Sequence, residues 1–73
     1  MAKKRTYDYV TWSEDGMWAS HAPSVPGVYG LGDTALEAEE DLVEAMEAMS
    51  LYLSEVGETL PSPRSIRTGQ VRV

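Results

Sequence analysis

One unbroken helical signal constrains this chain more than any other feature. Residues 35–56 contain neither proline nor glycine, and both flanks carry boundary residues. Thr34-Ala35-Leu36-Glu37 matches a capping box, in which the threonine hydroxyl accepts from the Glu37 amide and the glutamate carboxylate accepts from the Thr34 amide. Gly57 stands where a left-handed residue closes a helix. At 100° per residue, Ala35, Ala38, Leu42, Ala45, Met46, Met49, Tyr52, Leu53 and Val56 fall on one face. A helix of this kind takes up nearly a third of 73 residues. It needs a surface on which to bury that face, and what precedes it must supply one.

The preceding residues read as a meander over residues 6–31. Thr6 to Trp12 is rich in β-branched and aromatic side chains, which suit a pleated surface. Glu14-Asp15-Gly16 offers the positive φ of a tight hairpin, and Met17 to Ala22 returns antiparallel until Pro23 withholds an N–H. Pro26-Gly27 marks a further turn, and Val28 to Leu31 forms a third strand that Gly30 weakens. After the helix, Leu60-Pro61-Ser62-Pro63 is a stiff connection. Ile66 and then residues 70–73 are expected to add a short final strand. The expected class is α+β, a single β-β-β-α-β domain with a basic tail over residues 1–5, a helix over 34–56 and a proline-containing tail over 57–73.

Charge is segregated along the chain. All twelve acidic residues lie between Asp8 and Glu58, and all six basic residues lie outside that stretch, for a net charge of -6. Such a field repels phosphates, so nucleic-acid binding through Lys3, Lys4, Arg5, Arg64, Arg67 and Arg72 is expected to be weak at most. On the helix, Glu37, Glu40, Asp41, Glu44, Glu47 and Glu55 lie opposite the apolar face with no lysine or arginine at i+4, so each like-charged pair costs a few tenths of a kcal/mol. The first five mark a surface for a basic partner protein.

Successive strand residues point to opposite faces, so the aromatics of the meander cannot share one side. One helix covers only one face. Tyr7, Tyr9, Trp12, Trp18 and Tyr29 therefore provide a self-association surface, since tyrosine and tryptophan anchor interfaces readily. The absence of cysteine removes disulfides and thiolate metal sites from a chain too small to bury a large core. Assembly into a dimer or tetramer is the support that remains.

Catalysis is not expected. His21 is the sole histidine and sits in a strand alternation with Met17 and Ala19, so no Ser/His/Asp arrangement can be read from spacing. Asp8, Glu14, Asp15 and Asp33 suit turns and caps better than a metal ion. Gly27, Gly30 and Gly32 are out of register for a phosphate loop and no lysine follows them, so no cofactor is expected. No segment approaches the roughly 20 apolar residues of a membrane span, and the basic start leads into no apolar signal region. A cytoplasmic protein is expected.

The run Asp15-Gly16-Met17-Trp18-Ala19-Ser20-His21-Ala22-Pro23-Ser24-Val25-Pro26-Gly27, followed by Gly32-Asp33-Thr34-Ala35-Leu36-Glu37-Ala38, resembles the HicB-like antitoxin family. The similarity covers about residues 6–63 and rests on Gly16, Pro23, Pro26, Gly27, Gly32, Thr34, Glu37 and Ala38. It implies a β-β-β-α-β domain likened to a partial ribonuclease H fold, without nuclease activity because the metal-binding carboxylates of that fold cannot be assembled here. It also implies an antitoxin that occludes HicA, a small basic RNA-cleaving toxin. The helix-turn-helix or ribbon-helix-helix segment common in the family has no room before Val73, so direct operator binding is not expected. A small RNA-binding protein using the basic termini and the sheet, or an orphan structural homo-oligomer, are the alternative expectations.

Overall fold

The computed structural model describes residues 5–73. Three antiparallel strands, β1 (Val10–Glu14), β2 (Met17–His21) and β3 (Tyr29–Gly32), form a sheet in the order β1-β2-β3, and α1 (Ala35–Glu55) follows. This is an α+β arrangement. Lys3 and Lys4 of the expected basic tail lie outside the described residues.

The β1-β2 hairpin is closed by a two-residue turn in which Asp15 (φ 53°) and Gly16 (φ 82°) both adopt left-handed backbone, with Glu14 paired to Met17. Two positive φ values define the turn whose twist matches that of paired strands. Residues 6–9, expected to begin the first strand, lie outside it. β1 starts at Val10 because its partner there, His21, is the last residue of β2. Beyond it Pro23 turns the chain, and the Val25 amide donates to the Ala22 carbonyl at 2.8 Å.

The helix termini follow local chemistry. The Thr34 hydroxyl accepts from the Glu37 amide at 3.1 Å, and the Glu37 carboxylate reaches back to the Asp33 amide at 2.9 Å, one residue earlier than the expected Thr34. At the other end the Glu58 amide donates to the Leu53 carbonyl and the Gly57 amide to that of Ser54, with Gly57 at φ 80°. This pair of bonds is the Schellman closure.

Packing between α1 and the sheet is close at β3. A side chain on Gly30 would run into the Ala38 carbonyl and the Leu42 amide, and one on Gly32 would lie 2.6 Å from the Glu37 Cβ. The glycine expected to weaken β3 is thus what admits the helix backbone to the strand. Ala22, Val25, Val28, Ala38 and Leu42 are buried, with Tyr7, Ala45, Met46, Met49 and Leu60 packed partly around them. The core is small.

Tyr52 and Val56, expected on the buried face, are more than half exposed. Length explains this. A 21-residue helix is about 32 Å long, whereas strands of four or five residues reach roughly 17 Å. The end of α1 overhangs the sheet, and beyond Met46 only Met49 and Leu53 remain half-buried.

The expected final strand is absent: residues 58–73 form no strand. Pro61 and Pro63 have no amide to give. The Arg64 amide is taken by the Ser24 hydroxyl at 3.0 Å and that of Ile66 by the Asp8 carboxylate at 2.8 Å. Side chains satisfy the donors that a ladder would use. The tail lies as a strap across the segments that precede β1 and follow β2, held also by Tyr7 Oη donating to the Pro61 carbonyl and Arg5 Nη1 donating to that of Leu60.

Candidate protein-interaction surfaces

The pairing register assigns the sheet faces. Thr11, Trp18, Ser20, Gly30 and Gly32 point toward α1, and Val10, Trp12, Met17, Ala19, His21, Tyr29 and Leu31 point away from it. No element of the described chain covers the second set. Trp12, Met17, Tyr29 and Leu31 are 37%, 44%, 53% and 58% exposed, an apolar density unusual for a solvated sheet face. His21 and Tyr29 are cross-strand partners whose rings stack at 4.7 Å, and His21 Nδ1 lies 3.3 Å from the Val28 carbonyl.

On the helix side the polar groups are satisfied inwardly. Ser20 is fully buried and lies within hydrogen-bond distance of the Thr11 hydroxyl and the Val10 carbonyl. The Thr11 hydroxyl donates to Glu39 Oε2 at 2.8 Å. That bond gives Glu39 a structural task that the helix pattern did not reveal.

The acidic flank of α1 borders the β3 edge. Glu37, Glu40, Asp41 and Glu44 line an open depression of about 370 Å³ with Leu31, Gly32 and Asp33. Two of these carboxylates have tasks within the fold. Glu37 caps the helix, and Asp41 Oδ2 accepts from the Leu31 amide at 2.9 Å, filling an edge position to which another strand would otherwise add. Glu40, Glu44 and Glu47 are exposed. No lysine or arginine occurs between Arg5 and Arg64 to neutralise them from within the helix.

Toward the β1 side of α1, and sharing Glu40 with that depression, a groove of about 1130 Å³ separates the helix from residues 5–9. Its walls are Tyr7 and Tyr9 on one side, Val43, Met46 and Leu51 on the other, with Leu60 at one end; Glu39, Glu40, Glu47 and Glu58 rim it, with Arg5 as the lining cation. The groove exists because α1 lies chiefly over β3 and β2 and leaves the β1 side of the sheet uncovered.

The five expected self-association aromatics therefore do not form one patch. Trp12 and Tyr29 share the open sheet face, Trp18 is half-buried on the helix side, and Tyr7 and Tyr9 line the groove. The five expected acidic residues are better gathered: four line the depression, while Glu47 belongs to the groove rim. Val43 and Leu51, exposed and outside the expected apolar face, are the residues that sequence reasoning passed over. Their signal was present, since Leu36, Val43 and Leu51 recur at seven and eight residues and so form a second helical stripe. No family model, curated protein or solved structure matches the chain.

Proposed function

We propose that the chain is a non-enzymatic protein-binding module, an antitoxin of the HicB-like kind that self-associates and occludes a small basic partner in the cytoplasm. The observation that carries this reading is the acidic stripe of α1, from the depression beside β3 to the groove rim: Glu40, Glu44 and Glu47 stand exposed on a 21-residue helix that contains no cation. A single-sign stripe destabilises an isolated helix and gains its compensation when a surface of opposite sign covers it. Complementary charge also speeds encounter. No helix among the described residues is long and apolar enough to cross a membrane. His21 is engaged by the Val28 carbonyl and the Tyr29 ring, contacts that suit a packing residue better than a general base.

The test uses the product of the reading frame beside this gene, which this reading expects to be a short basic chain. Its association should slow steeply between low and physiological salt, and changing Glu40, Glu44 and Glu47 together to glutamine should slow it about tenfold or more. Equal rates for the parent and the triple variant would refute the acidic-flank reading.

Self-association is assigned to the open sheet face, where Trp12, Tyr29 and Leu31 would be shielded by a second copy. Light scattering at micromolar concentration should report a dimer or tetramer, and Trp12→Glu with Leu31→Glu should shift it toward the monomer. Both substitutions fall on exposed side chains, so the fold itself should persist in circular dichroism. A parent protein that scatters as a monomer sinks this part of the reading.

A further inference from the structure

We infer that the groove between α1 and residues 5–9 receives the C-terminal segment, residues 67–73, of a second copy of this chain. The inference concerns a surface distinct from the open sheet face and goes beyond the partner-binding reading.

The groove and the segment are complementary in three respects. Chemically, the walls are apolar and aromatic, and among the described residues no side chain fills the space between Tyr7 and Tyr9 and Val43, Met46 and Leu51. Residues 67–73 carry Val71 and Val73, which are 86% and 116% exposed and have nothing of their own to pack on. Electrically, Glu39, Glu40, Glu47 and Glu58 rim the groove, and Arg5 is the one cation lining it among the described residues. The chain beyond Glu58 has no acidic side chain, and Arg67 and Arg72 belong to the segment itself. In length, the helical wall from Glu39 to Ser54 runs about 23 Å at 1.5 Å per residue. Seven extended residues span roughly 23 Å as well.

The root of the segment argues that the groove occupied is the neighbour's. Ile66 is tied to Asp8, which sits between Tyr7 and Tyr9 in sequence but is not among the groove-lining residues. Residues 67–73 are not among those that line their own chain's groove, and Val71 and Val73 stand exposed. Exchange between two copies lets each segment enter the other's groove and satisfies both at once, a closed arrangement of the kind symmetric dimers use.

Disulfide trapping tests this directly, because the chain has no cysteine of its own. Ser50 lines the groove and is exposed, and Gln70 lies in the segment. Mixing Ser50→Cys protein with Gln70→Cys protein at micromolar concentration under mild oxidation should give a mixed disulfide dimer. Adding Val43→Glu and Leu51→Glu to the first partner should lower its yield about tenfold, the effect of about 1.4 kcal/mol lost on association. Trp12→Glu with Leu31→Glu should leave the mixed disulfide in place, so failure of the sheet-face reading and failure of this one are told apart. Either of two results overturns the inference. One is no mixed disulfide above the level given by Gly69→Cys protein mixed with protein carrying Ser13→Cys at that exposed position. The other is a monomeric internal disulfide as the main product of a chain carrying both Ser50→Cys and Gln70→Cys.

Discussion

Replacing Gly30 with alanine is expected to cost about 3 kcal/mol or more, the upper end of what overpacking does. The added Cβ would meet the Ala38 carbonyl and the Leu42 amide and lie 2.8 Å from the Leu42 Cα. These are backbone atoms of a helix that is itself hydrogen-bonded, so no rotamer change relieves the contact. The helix must lift from β3 and carry Leu42 out of the core. A chain of 73 residues has a total stability of only roughly 4–11 kcal/mol. The thermal midpoint should therefore fall by more than about 10 °C. Gly69→Ala is the control: nothing lies within 4 Å of a Cβ there, and its φ is not positive. Matched urea melts by circular dichroism would decide it, and equal midpoints for parent and Gly30→Ala would show that the helix does not press on β3.

That glycine also marks where the sequence stops being legible. Features set by a few neighbouring residues could be read in advance: the Asp15-Gly16 turn, the Thr34 cap and the Gly57 closure are each decided within one turn of chain. Gly30 looked like a defect because propensity sees only the missing side chain. Its reason is the backbone of residues 38–42, which arrives from a different element. The same limit explains Tyr52 and Val56, whose exposure depends on how short β3 is, and the missing final strand, whose amides found Asp8 and Ser24 first. The candidate surfaces divide likewise. The acidic flank was readable because helical periodicity alone places it. The groove was not, because it is the gap left when α1 sits over β3 rather than centrally.

Leu42→Ala should have an effect as large as Gly30→Ala, by the opposite route. Leu42 is 4% exposed and is the largest of the five buried apolar residues. Truncating such a leucine removes transfer free energy and leaves a cavity, at a cost of about 3 kcal/mol. Val25 and Val28 are the other buried apolar residues larger than alanine, and the remaining neighbours of the void, Met46 and Met49 among them, are only partly buried. Leu51→Ala on the same helix is the internal comparison. Leu51 is 64% exposed, so within one chain its truncation should cost no more than about 0.5 kcal/mol. If its groove is filled by another copy, however, the Leu51→Ala cost should grow with protein concentration, because whatever binds only the folded state adds to apparent stability by mass action. Melts at two concentrations a hundredfold apart would separate the terms. The Leu42→Ala deficit should appear at both, since it resides within one chain, and the Leu51→Ala deficit chiefly at the higher. Combining Leu42→Ala with Gly30→Ala should give less than the sum of the two, because the cavity sits where the displaced helix backbone can settle. Strict additivity would place the two residues in separate parts of the core and contradict the packing described here.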